Sequence, residues 1–255
     1  MKIFLKIGLI GAGLLLNAVG GDAQTFKDYV NKANDIVNGK GNSNNNSGQN
    51  GINNLSNTDI VSALRQALEI GAQNSGQKLS AVNGYFGNQL IKILMPPEAK
   101  KVESTLRSMG MGAQVDKAIV SMNRAAEDAA MKAVPIFVNA IKGMSIQDGL
   151  SILKGGNGAA TNYLKGRTTA ALTSAFRPVI QNSLDKVNAT RYWRDIFTIY
   201  NKIPMVQHVN PDLTSYVTER ALNGLFVTIA QEENKIRLDP AARVTDLLKK
   251  VFGAH

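Results

Sequence analysis

From Ile60 almost to the C-terminus of this 255-residue chain, apolar residues recur every three to four positions. That spacing places them along one side of α-helices, whereas strands would need alternation in twos. The chain therefore reads as all-α: a single compact domain of roughly eight to nine helices, each hiding one apolar stripe against its neighbours.

Capping and breaking residues divide the run. Ser56 and Asp59, in S-N-T-D, have the spacing of a capping box and open a first helix carrying Ile60, Leu64, Ala67, Leu68 and Gly71. NGYFGNQLIKILMPP reads as extended chain, stopped by Pro96 and Pro97. Those prolines begin PEAKKVESTLRSMG at its first turn, where a missing amide hydrogen costs least, and Gly110 closes it. A long helix from Gln114 to Val134 should break or kink at Pro135 and continue as PIFVNAIKGM. Ser145 and Asp148 form a second capping box, for a short helix that stops at Gly155 and Gly156. Asn157 then caps a helix with Tyr163, Leu164, Ala171, Leu172 and Phe176, kinked at Pro178. TRYWRDIFTIYNKIP sets Tyr192, Ile196, Ile199 and Ile203 on one face. DLTSYVTERALNGLFVTIAQEENKIR follows, and PAARVTDLLKKVFG, capped by Asp239 with Pro240 first, ends the series.

What precedes Ser56 is different in kind. MKIFLKIGLIGAGLLLNAVGGDAQ has Lys2 and Lys6, an apolar run from Ile7 to Leu16, and small residues at Gly21 and Ala23. This is the pattern of a secretory signal peptide, residues 1–23, cut after Ala23. A membrane anchor would need about 20 apolar residues, and Asn17 ends this core at about half that length. Gly11, Ala12 and Gly13 lack the third glycine of a dinucleotide fingerprint and belong to the export signal. Residues 24–38 suit a short amphipathic helix. Residues 39–56, nearly all Gly, Asn, Ser and Gln, have too little apolar surface to offset the entropy of ordering and read as a flexible tether. The helical domain is 57–255, and the protein is expected in the periplasm or outside the cell.

An exported chain without cysteine has no disulfide framework, thiol nucleophile or lipid-modified thiol, so its core must hold itself together. The formal charge is +10, and loss of Lys2, Lys6 and Asp22 with the leader lowers the surplus to nine. A basic balance favours an anionic surface or an envelope component as partner, although solubility alone accounts for it equally well. Nucleic acid is not expected, because the cations are spread along the chain without a dense run.

Catalytic signatures are missing. The histidines are His208 and His255, which rules out H-E-x-x-H and a histidine triad for a metal. No G-x-S-x-G elbow or phosphate-binding G-x-x-x-x-G-K-[ST] loop is present. The glycines of GGNGAATNYLKGRTT resemble a phosphate cradle but have no lysine in place, and a helix stop followed by a cap explains them. No catalytic residue, metal site or cofactor is assigned.

Two polar groups need explaining. In SMNRAAEDAA, Asn123, Arg124, Glu127 and Asp128 lie within two turns, while Val115, Ile119, Met122, Ala126, Ala129 and Ala133 make the core stripe. Arg124 points about half a turn from that stripe, which reads as a solvated face with Arg124 paired to Glu127 and Asp128. A second helix or a ligand covering that face is the alternative. In the late helix, Leu222, Leu225, Phe226, Ile229 and Ile236 form the stripe, and Glu233 falls inside it, about 20° from Leu222. A carboxylate there needs partners, and Arg237 and Arg243 are within reach. One reading is a buried ion pair locking the last two helices; the other is a general acid or ligand anchor, with Glu232 near the rim. The aromatic group Tyr192, Trp193, Phe197 and Tyr200 suits a core face, or else a groove, shared with Phe226, for a lipid or peptide.

The runs LIKILMPPEAKKVESTLRSMGMG, SMNRAAEDAA with PIFVNAIKGMS, LKGGNGAATNYL, and YVTERALNGLFVTIAQEENKIRLDPAARVTDLLKKVFG together resemble the bacterial envelope family recorded as domain of unknown function 4197. The resemblance covers nearly all of residues 57–253 in order. It implies an exported, all-helical single domain and brings no activity, substrate or catalytic residue. Asn123, Arg124, Glu127, Glu232, Glu233, Arg237 and Arg243 fall in its recognisable stretches, so a pair between Arg124 and a late-helix glutamate is a further alternative. The tether lies outside the resemblance.

The chain thus reads as a non-enzymatic envelope protein working by binding, first as a scaffold or interaction module. A carrier of a small apolar or anionic ligand in an inter-helix groove is the alternative, and a hydrolase or lyase using Glu233 the third reading. The leader reading predicts that protein recovered from the periplasm of expressing cells has the intact mass of a chain beginning at Gln24; the full-length mass would refute it.

Overall fold

The computed structural model of the chain describes residues 56–238 apart from 203, 206 and 207, and apart from the side chains of residues 196 and 199. The expected leader, amphipathic helix, all but the last residue of the tether, the final helix and Arg243 lie outside the described residues. Eight α-helices and no strand occur among the described residues: α1 (Asn57–Ser80), α2 (Lys100–Ser108), α3 (Gly112–Ala130), α4 (Ala133–Lys142), α5 (Ile146–Lys154), α6 (Ala159–Asp185), α7 (Ala189–Tyr200) and α8 (Leu213–Leu238). A 3₁₀ turn, Pro97–Ala99, leads into α2.

The helix starts follow the local chemistry at α1 and α5. Ser56 Oγ accepts from Asp59 N at 3.2 Å while Asp59 accepts from Ser56 N at 3.1 Å, and Ser145 with Asp148 repeats the box at 3.0 Å each way. The Ser145 amide and hydroxyl hold the Asp148 carboxyl below its ordinary pKa. Pro135 acts through the carbonyl four residues back. The chain leaves helical bonding at Met131 and Lys132, with Val134 N bonded to Met131 O instead, and α4 starts afresh. The kink expected at Pro178 does not break α6, which runs through it at an exposed position where water can take the freed carbonyl.

The core forms where α6 and α8 pack along each other, with α3 against both and α1 against α4, α5 and α8. Phe137, Leu164, Leu172, Phe176, Ile180, Leu184 and Leu225 are fully buried there, each contributing about 1.5–3 kcal/mol by leaving water. The second half of α3 is buried over most of its circumference rather than along one stripe: Asn123, Ala125, Ala126, Glu127, Ala129 and Ala130 are all buried, and Arg124 and Asp128 mark its remaining open edge. Alanine is what permits this, because it lets neighbouring helices come close from several directions.

Between α1 and α2 the chain was expected to be extended. It makes turns from Ala81 to Ile91 and straightens only over residues 92–96. Tyr85, wholly buried, anchors the turns by donating to Ala221 O of α8 at 2.8 Å, and burial pushes its phenol above the ordinary range. Gly224 makes room for that ring, since a Cβ there would stand 2.7 Å from Tyr85 Cε1. The straight segment is held by Asn123, whose Oδ1 accepts from Ile93 N at 2.9 Å and whose Nδ2 donates to Ile93 O at 2.8 Å. One side chain thus supplies both bonds that a neighbouring strand would supply. Asn201 does the same for Val209, at 2.9 and 2.7 Å.

Replacing Asn123 by Ala leaves the buried Ile93 amide and carbonyl unpaired and should cost about 2–5 kcal/mol. A fall in the urea midpoint at unchanged slope checks it; a midpoint equal to the parent's would show that water replaces the clamp.

Candidate functional site

α6 begins without a local cap. Gly158 precedes it with φ of +82°, a conformation that favours glycine, and a glycine has no side chain to offer the first amides. Asn157, expected as the cap, is exposed and makes no such bond. The carboxylate of Glu233, on α8, takes the role. Its Oε1 accepts from Ala160 N at 3.2 Å, and its Oε2 accepts from Thr161 N at 3.0 Å and from Thr161 Oγ1 at 2.7 Å. Arg237, one turn on, donates its Nε to Oε1 at 3.0 Å and its Nη2 to Ile152 O, in the last turn of α5, at 3.0 Å. A buried anion is tolerable here because a cation, two backbone amides and the positive end of a helix dipole surround it.

Among the described residues Glu233 and Arg237 tie α8 to α6 and α5; the last helix and Arg243, to which a lock was expected, lie outside the described residues. The glycine-rich stretch that resembled a phosphate cradle has its amides filled by the protein's own carboxylate. The cavity beside Glu233 holds about 10 Å³, room for one water. Glu232, also buried, pairs with Lys235 at 2.6 Å, and its Cβ packs on Gly71 of α1.

Glu127 is a second such group. Its Oε1 accepts from the amides of Tyr85 and Phe86 at 3.1 Å each, and its Oε2 takes Arg124, which also donates to Asn83 Oδ1 at 2.8 Å. The solvated face read from the wheel is corrected in part: the turns before α2 bury Asn123 and Glu127, while Asp128 is exposed and Arg124, paired with Glu127, remains at the edge. Asp128 accepts from Ser183 of α6 at 2.6 Å rather than pairing with Arg124. Arg124 meets Glu127 and Asn83, not a late-helix glutamate.

The space beside Glu233 admits one water, but a groove elsewhere is far larger. Between the 3₁₀ turn with α2, the first half of α3, and α7 runs a depression of about 940 Å³. Met95, Val102 and Leu106 line one wall, and Tyr192, Trp193 and Phe197 another, with Val115 and Met122 of α3 between. Trp193 and Phe197 are the buried pair of α7, their ring centroids 4.4 Å apart, while Tyr192, expected on the inward face, is 62% exposed at the mouth. Trp193 Nε1 donates to Asn210 O at 2.9 Å, which leaves its apolar face to the groove. Phe226 is not part of this groove. It packs edge-on against Phe137 at 6.0 Å and borders a depression of about 270 Å³ between α6 and α8.

The sequence reading missed Val102, Leu106, Met111 and Lys117 as groove residues. A signal was present: α2 carries an apolar side at Val102 and Leu106 but no fully buried residue, so it is a thin wall rather than part of the core.

A family model described as Protein of unknown function (DUF4197) matches residues 54–253, and the chain belongs to that family. No curated protein and no solved structure matches it significantly.

Glu233→Ala should destabilise the protein by about 3–5 kcal/mol, because it strands Arg237 and uncaps α6. Glu233→Gln should cost less, since its amide oxygen can still accept from Thr161. Denaturant melts of both variants test this; parent-like stability in the alanine variant would show that the cap is dispensable.

Proposed function

We propose that the protein is a binding module of the cell envelope and that it holds an apolar chain, of the kind found in lipid acyl groups, in the groove between α2, α3 and α7. The observation that carries this reading is the groove's volume of about 940 Å³ together with its lining of methionine, aliphatic and aromatic side chains. Ligand sites occupy about 300–1,000 Å³ and are lined mainly by such residues. Methionines at 95, 111 and 122 suit a ligand of variable shape, being unbranched and polarisable. A peptide bound as a strand would need backbone partners, and the described residues have no sheet edge to offer them. An acyl chain makes no such demand.

The leader-like N-terminus and the basic balance support the envelope as the place of work. A hydrolase or lyase working through Glu233 has less support: among the described residues its carboxylate is taken up by Ala160, Thr161 and Arg237, and the space beside it admits one water.

Trp193 is the sole tryptophan of the chain and lines the groove, so its emission reports occupancy. Titration with a long-chain alcohol should shift that emission saturably. Ala118→Phe, which fills the groove from α3, should abolish the response at an unchanged melting temperature. No response in the parent protein would refute the acyl-chain reading.

A further inference from the structure

We propose that the groove selects an anionic amphiphile and that Lys117 binds its head group. This rests on the groove reading above and adds the charge of the ligand to it. Three charged side chains line the groove, Glu103, Asp116 and Lys117. The two carboxylates share one guanidinium, which offsets one of their two charges: Arg107 Nη2 stands 3.0 Å from Glu103 Oε1 and 2.8 Å from Asp116 Oδ1. Lys117 has no ion-pair or hydrogen-bond partner for its ammonium among the described residues.

Its position on α3 fits the role. Gln114, Lys117 and Ser121, spaced three and four apart, form a polar stripe about 60° wide on the helix. Ala113 and Val120 flank that stripe on one side, and Val115, Ala118 and Met122 on the other, all of them groove residues. Lys117 therefore rises from within the α3 wall of an apolar groove, and it is exposed. A lysine in such a place lays its methylenes along the apolar lining and keeps its ammonium at the water. A chain lying in the groove with a carboxylate or phosphate at its end puts apolar on apolar and anion on cation at once. Arg107 holds both acids that would repel that anion and halves their charge, and the ammonium of Lys117 stands apart from that cluster's ion pairs.

The test is Trp193 emission of the full chain titrated with laurate, dodecyl phosphate and dodecanol, which share a chain and differ in the head. Both anions should bind about fivefold tighter than dodecanol, the factor that one exposed ion pair gives. In Lys117→Gln the anions should fall to the level of dodecanol, with dodecanol affinity unchanged. A preference between laurate and dodecyl phosphate identifies the head group as carboxylate or phosphate. Equal binding of all three by the parent, or a preference for anions that survives in Lys117→Gln, overturns the role of Lys117 and leaves the groove reading standing. Absence of any response to all three overturns both.

Discussion

Three helix ends meet at one carboxylate. α6, 27 residues long, starts after a left-handed glycine and so brings unpaired amides and the positive end of its dipole into the interior. Glu233 satisfies both needs from α8, and Arg237 on the next turn balances the charge while pairing the Ile152 carbonyl in the last turn of α5. The packing of α6 on α8, the most extensive helix pair among the described residues, is thereby fixed in register at one end. Apolar contact sets how close two helices lie; a hydrogen-bonded charge in the interior also sets where along their length they stop sliding.

The same logic explains three further polar side chains, Asn123, Glu127 and Asn201. A helical protein with non-helical segments in its interior has backbone amides and carbonyls that no helix ladder satisfies. Asn123 pairs both groups of Ile93, Asn201 both groups of Val209, and Glu127 the amides of Tyr85 and Phe86. These residues, which in the sequence have the composition of an active site, are engaged by the fold's own backbone. The groove differs because its lining is mainly apolar and no described residue covers it: α2 supplies a wall with no buried residue, and the first half of α3 lacks the tight enclosure of the second.

α3 shows how far the sequence could be read. Its apolar positions Val115, Ile119, Met122, Ala126 and Ala129 are buried as the 3.6-residue period requires. Glu127 and Asn123, assigned to a wet face or left open, are buried because residues 30 to 40 positions earlier fold over them. A helical wheel knows the helix and not its neighbours. In α7 Trp193 and Phe197 turn inward and Tyr192 faces water, while the side chains of Ile196, Ile199 and Ile203, expected on one face with Tyr192, lie outside the described residues. With aromatic residues on several sides of a short helix, no periodic argument ranks them, and the partner surface decides.

The sequence by itself determined the all-α class, the capping boxes at Ser56 and Ser145, and the break ahead of Pro135, because each depends on residues within about one turn of one another. It also marked Glu233 as out of place, since a carboxylate on an apolar stripe needs a partner. Only the tertiary structure decided that the partner is the start of α6, that Asn123 stands in for a strand, and that α2, α3 and α7 leave a groove between them. Those outcomes depend on which surfaces meet across long stretches of chain, and that is settled by packing the whole core at once rather than by any local preference.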